Sequence, residues 1–264
     1  MTGERARMRH VEHVMGTVFS FDVRLEGDAD RERVRAGLAA AVAGLHHVDE
    51  VFSPYRPDSR ISRLARGELT LAGCGPDVAE VFGLCETEER LSDGWFTPRY
   101  AGGLDPTGLV KGWAVQRAVD MIASSGAAAV CLNGGGDVQS YGGPWRIGIA
   151  DPLHPGGLAA VVEAHDGLAV ATSGPAERGC HIVDPRTGGT PDDGLASMTV
   201  VGRGLTQADA RATAAYAMGP EARAWLEQLP GTEGFAVTAD GTTWQTSGFA
   251  RYLARHGDGE GRAA

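Results

Sequence analysis

Lysine and asparagine are almost missing from this chain of 264 residues: Lys111 is its one lysine, Asn133 its one asparagine, and the other basic residues are all arginines. Basic clusters are missing as well. With a formal net charge of −10 and a pI near 5.3, the chain lacks the positive surface from which nucleic acid or an anionic membrane would release counterions. A phosphorylated small molecule stays open as a partner, because backbone N–H groups or a metal can hold it. Four cysteines, Cys74, Cys85, Cys131 and Cys180, include no C-x-x-C and no zinc spacing, so they read as reduced thiols. No run approaches the ~20 apolar residues of a membrane span, the longest candidate being the alanine-rich stretch Gly37–Leu45. The start, MTGERARMRHVEHVMG, is polar and has no secretory apolar segment. Leu71-Ala-Gly-Cys74 imitates a lipoprotein cleavage box, but no apolar stretch precedes it. The expected location is the cytoplasm.

Glycine is plentiful instead: 39 Gly and 13 Pro exceed the usual share but stay below that of low-complexity chains. Val18–Leu25 alternates Phe19, Phe21, Val23 and Leu25 against polar neighbours, the period of a half-buried strand. Val34, Leu38, Val42, Leu45, Val48 and Phe52 then recur at helical spacing, with Asp28 and Asp30 as cap candidates. After a polar loop over Ser53–Gly75, Pro76 opens a helix whose stripe is Val78, Val81, Phe82, Cys85 and Leu91. A loop over Asp93–Thr107 leads to a helix over Leu109–Ser125. Short apolar runs follow at Ala128–Leu132, Trp145–Ala150, Ala159–Ala164, Leu168–Thr172 and Met198–Gly202, with Asp166-Gly167 as a hairpin signal. Helices from Thr206 to Met218 and over Glu221–Leu229, then a hairpin around Asp240-Gly241, complete the pattern. This order predicts one α+β domain, a mostly antiparallel sheet flanked by helices. It would occupy residues 14–254, between a polar segment over 1–13 and a disordered tail over 255–264.

Five polar, glycine-marked segments interrupt the scaffold. Met15-Gly16-Thr17 and Phe52-Ser-Pro-Tyr55-Arg-Pro-Asp-Ser59 read as turns, or as a tyrosine platform for a planar ligand. Leu104-Asp105-Pro-Thr-Gly108-Leu-Val-Lys111 runs a loop into a helix, offering N–H groups suited to phosphate. It lacks the spacing of a P-loop. Asn133-Gly-Gly-Gly-Asp137 is either a close-approach ligand loop or a plain hairpin turn. Ala171-Thr-Ser173-Gly174 and His181-Ile-Val-Asp184-Pro-Arg-Thr187-Gly188 set hydroxyls, a histidine and a carboxylate beside a turn. In Gln207-Ala-Asp209-Ala-Arg-Ala212-Thr213 the aspartate and threonine stand i, i+4 on one helical face, a hard-oxygen pair suited to Mg²⁺.

Taken in this order, the segments resemble the ApbE family of FAD:protein FMN transferases, over about residues 14–250. The resemblance implies an α+β, T-fold-like domain holding FAD in a cleft. It implies Mg²⁺-dependent transfer of FMN from FAD to a Ser or Thr hydroxyl of an acceptor flavoprotein, with release of AMP. FAD hydrolysis to FMN and AMP, or flavin binding without catalysis, are the alternatives. By position, Met15 and Tyr55 would meet the flavin, and Asp105, Lys111, Asn133, Asp137, Ser173, Asp184 and Thr187 would serve the nucleotide. The Gly108 carbonyl, Asp209 and Thr213 match metal ligands, with Ala212 in the same turn, and His181 matches the histidine at the reactive centre. A hydroxyl nucleophile needs its proton removed, by Asp209, by His181 or through metal coordination. The chain departs from the family at Gly94-Trp95-Phe96-Thr97, where many relatives carry Gly-x-Phe-Asp. Many relatives are also exported lipoproteins, so either the acceptor is cytoplasmic or an export signal lies outside this chain.

Overall fold

The computed structural model describes residues 6–26, 31–100, 103–175, 182–191 and 194–254. Strands β1 (Arg7–Val14) and β2 (Thr17–Arg24) form a hairpin with Val14 opposite Thr17. Its two turn residues, Met15 and Gly16, have φ of 54° and 68°, the positive values that fit a two-residue turn to strand twist. The polar lead-in expected over 1–13 is thus, from Arg7 onward, a paired edge strand. Apart from Val14 at its end, its residues are exposed or half-buried, so its sequence shows little contrast from which to read a strand.

Helix α1 (Arg31–Phe52) buries Val34, Leu38, Ala41, Leu45, Val48, Val51 and Phe52; its expected caps Asp28 and Asp30 lie outside the described residues. Within the expected polar loop, Ser59 caps a short helix, α2 (Arg60–Ala65), by accepting the Ser62 N–H. Only Ile61 of that helix is buried, too little for a periodic signal. Helix α3 (Pro76–Leu91) starts at its proline as expected. Leu91 falls out of the expected stripe and is 45% exposed; Glu88 is buried in its place by pairing with Arg211. After the short pair β3 (Arg99–Tyr100) and β4 (Gly103–Leu104) comes helix α4 (Thr107–Ser124).

The remaining elements are β5 (Ala129–Gly134), β6 (Asp137–Tyr141), β7 (Trp145–Ala150), β8 (Leu158–Ala164), β9 (Ala169–Ser173), β10 (Leu195–Gly202), α5 (Leu205–Met218), α6 (Ala222–Leu226), β11 (Glu233–Thr238) and β12 (Thr243–Gln245). Eight strands form one antiparallel sheet in the order β1-β2-β5-β6-β9-β10-β11-β12. Helices α1, α4 and α5 cover one face, where Phe19, Phe21, Leu132, Met198 and Val200 join the helical core. The β7–β8 ribbon covers the other, packing Trp145, Ile147 and Val162 against Val170, Val201 and Phe235. Because both faces are covered, every residue of β10 is buried, and its sequence reads as a run instead of an alternation. Each large aliphatic chain so buried contributes roughly 1.5–3 kcal/mol.

The Asp166-Gly167 pair does not close a hairpin: β8 pairs with β7, and β9 with β6 and β10. Gly167, at φ 82° and donating to the Gly142 carbonyl, passes the chain from the ribbon back to the sheet. The Asp240-Gly241 hairpin forms as expected, joining β11 to β12. Residues 255–264, the expected tail, lie outside the described residues. Among the described residues no helix is long and apolar enough to cross a membrane.

Candidate functional site

A cleft of about 400 Å³ opens where the β1–β2 turn, the last turn of α1, the start of α4, the end of β9 and the middle of α5 meet. Small residues permit this meeting. A methyl on Gly112 would stand 2.5 Å from the Leu205 carbonyl oxygen and 2.8 Å from Asp209 Cβ, so only glycine lets α4 lie this close to α5. One on Gly108 would stand 3.8 Å from Thr213 Oγ1, which places the first turn of α4 beside that hydroxyl.

Asp209 projects from α5 into the cleft and accepts the Gly112 N–H at 2.9 Å. Lys111 Nζ lies 3.6 Å from the same carboxylate and ion-pairs with Asp137. Asp137 is fully buried, and its other oxygen accepts the Thr172 N–H at 2.9 Å. Ser173 and Thr213 bring their hydroxyl oxygens to 3.5 Å across the β9–α5 boundary. At the entrance to α4, Asp105 accepts the Thr107 N–H at 2.9 Å, fixing the loop that leads into the first turn. Tyr55 is 93% exposed at the rim.

Of the site residues expected from sequence, Met15, Tyr55, Asp105, Gly108, Lys111, Ser173, Asp209 and Thr213 line this one cleft. Asp137 stands behind the wall as the partner of Lys111. Asn133 is exposed in the hairpin joining β5 to β6, where its side chain accepts the Gly136 N–H; this is the turn reading of the glycine segment. Gly135 and Gly136, at φ 61° and 94°, occupy the two turn positions. Asp184 and Thr187 close a surface turn, the Thr187 hydroxyl and Arg186 N–H donating to the Asp184 carboxylate. Partial burial opposes ionisation of Asp184, but those donors hold its carboxyl below the usual range. Ala212 is buried in the helical core. His181 lies outside the described residues.

Sequence reasoning missed the wall supplied by α1, namely Val48 and Asp49, and the lining contributed by Ile182 and Val183. One signal was present at Asp49-Glu50: acids in the last turn of a helix oppose its dipole, and no basic residue offsets them. Lys111 is the only basic residue among the described lining, against Asp49, Asp105 and Asp209 with Asp137 behind. The described lining is net negative, so an added cation would offset its repulsion of a polyanion. Among the described residues no three His, Cys, Asp or Glu gather into a metal cluster. The donors at hand are one carboxylate with hydroxyl and carbonyl oxygens, the hard set that Mg²⁺ completes with phosphate and water.

Fold and cleft together define an α+β protein with an acidic cleft of nucleotide size at one end of its sheet. The ApbE family model matches residues 15–104 and 100–236, and the chain belongs to the ApbE family. A protein of Escherichia coli (strain K12) named FAD:protein FMN transferase is 25% identical over 166 residues, 57% of this chain and 47% of that protein. One of the same name from Rhodobacter capsulatus is 33% identical over 156 residues, 54% of this chain and 29% of its own. The matched region thus spans less than half the length of these curated relatives. The apo crystal structure of flavinyl transferase ApbE from Pseudomonas stutzeri superposes with a TM-score of 0.78 at 22% identity, over 96% of this chain and 100% of that one. The expected fold class is the observed one.

Proposed function

We propose that this chain is a Mg²⁺-dependent FAD:protein FMN transferase, joining FMN to a Ser or Thr hydroxyl of an acceptor flavoprotein and releasing AMP. The observation that carries the reading is convergence: segments scattered from Met15 to Thr213 meet in one cleft whose only basic lining residue, among the described residues, is Lys111. The curated relatives named above bear this activity in their names.

In this reading Tyr55 offers its ring to the isoalloxazine at the rim, and Met15 borders the same end. Lys111 presents a compact ammonium to the pyrophosphate. Asp209, Thr213 and the Gly108 carbonyl would hold Mg²⁺, which when bound supplies neutralisation of charge on the phosphorus under attack and on departing AMP. The acceptor hydroxyl oxygen bonds to the FMN phosphorus, the bond from that phosphorus to the bridging oxygen breaks, and AMP leaves with that oxygen. Asp209 or His181 takes the hydroxyl proton. The buried thiols Cys74 and Cys85 accord with a reducing, cytoplasmic setting.

The test is incubation with FAD, Mg²⁺ and candidate acceptor flavoproteins, read by mass spectrometry. A covalent increase equal to FMN, with AMP released in equal amount, is the expected result. FMN and AMP without an acceptor adduct would replace this reading by FAD hydrolysis; FAD binding with no AMP would leave a flavin-binding protein.

A further inference from the structure

We infer that Asp137 is a positioning residue: its buried carboxylate holds the Lys111 ammonium off Asp209 and aimed into the cleft, without itself touching the nucleotide. The inference rests on the transferase reading for its kinetics and on the structure alone for the pairing.

Asp137 opens β6 directly after the two-glycine turn and is 0% exposed, while Lys111 reaches toward it from α4 with its side chain 13% exposed. Its two oxygens are both assigned, one to Lys111 and one to the Thr172 N–H. Thr172 in turn precedes Ser173 and Gly174, which line the cleft. One carboxylate therefore ties together the glycine turn, the end of β9 and the first turns of α4. The turn is seated as firmly as its anchor, since a methyl on Gly134 would stand 2.7 Å from Val115 and 2.8 Å from Phe19.

Stability alone gives little reason for such a pair, because an apolar pair of similar volume commonly does as well. The second carboxylate supplies the reason. Lys111 Nζ is already 3.6 Å from Asp209 Oδ2. Were Asp137 neutral, the ammonium would have one anion left to approach, and that anion is the residue assigned to the cation and to proton transfer. Two carboxylates sharing one ammonium keep the lysine in place and leave Asp209 only partly engaged.

The single lysine makes the pairing directly measurable. Protein labelled with lysine carrying ¹⁵N at the side-chain nitrogen has one such ammonium, and pairing with a buried carboxylate should protect its protons from exchange with water. In Asp137→Asn we expect that ammonium signal to shift or broaden away, kcat for transfer to fall about tenfold or more, and KM and Kd for FAD to stay within about threefold. Asp137→Asn/Lys111→Met should be no slower than Lys111→Met alone. A rise in KM and Kd for FAD with kcat unchanged would overturn the inference by making Asp137 a nucleotide contact. An unchanged ammonium signal, or a double variant slower than Lys111→Met by the full Asp137→Asn factor, would overturn it too. If Asp137→Asn does not fold, the double variant, neutral on both sides, decides by the same comparison. If the wild type neither transfers nor hydrolyses FAD, the transferase reading fails while the ammonium signal still decides the pairing.

Discussion

Gly112 donates its backbone N–H to the Asp209 carboxylate at 2.9 Å, so one residue supplies both the space in which α4 meets α5 and a hydrogen bond that orients the acid there. Gly112→Ala should cost about 1–3 kcal/mol of stability, since the new methyl would meet backbone and not a yielding side chain. Urea unfolding measures the loss, and transfer activity should fall with it because Asp209 moves with α5. An alanine variant of wild-type stability would show that the helices separate freely.

Asp209→Ala should abolish AMP release, by about a hundredfold or more, while the protein stays folded. If the variant still releases AMP at the wild-type rate from FAD and Mg²⁺, Asp209 holds neither the cation nor the proton.

For Lys111→Arg the expected loss in transfer rate is about a hundredfold, the effect of displacing a group by about 1 Å. A planar guanidinium is larger than the ammonium now lodged between Asp137 and Asp209 and spreads its charge differently. Full activity in the arginine variant would make the lone lysine an accident of composition.

Tyr55→Ala should weaken FAD binding roughly threefold to tenfold, the worth of an aromatic stacking contact. Its melting temperature should not change, because the ring is 93% exposed. Calorimetry of FAD binding beside a thermal melt separates the two effects.

The β11–β12 turn gives a pH-dependent prediction. The Thr238 hydroxyl, then the Thr242 N–H and hydroxyl, hold the Asp240 carboxyl down to about 2 from an ordinary 3.8. A depressed carboxylate contributes stability that is complete above its unfolded value and is lost as pH falls through the folded one. The gap in melting temperature between wild type and Asp240→Ala should therefore stay constant near neutrality and close between about pH 4 and pH 2. A gap that persisted at pH 2 would place the effect in turn geometry instead of charge.

Much of this fold is legible in the sequence, and the elements that are not share a physical cause. Phe19, Phe21 and Val23 announced β2 because one face of that strand is buried and the other is not. β1 lacks that contrast. β6 was invisible because Gln139 and Ser140 are buried by partners distant in sequence, the Leu205 N–H and the Leu168 backbone. Polar residues satisfied at long range look like loop. Several chemistry-bearing residues next to glycine line the cleft, whereas Val48 and Asp49, which also line it, lie within a helical pattern that already accounts for them. The lone Asn133 accepts the Gly136 N–H within its own turn.

The cleft takes residues from Met15 to Thr213, so its walls come together only when the β1–β2 turn, the end of β9 and the helices α1, α4 and α5 are in place. A molecule that fills the cleft binds the complete fold and nothing less, and stabilises the whole domain by about 2.7 kcal/mol at a hundred times its dissociation constant. Heating the protein in a series of nucleotides is then a ligand screen that needs no acceptor protein and no turnover.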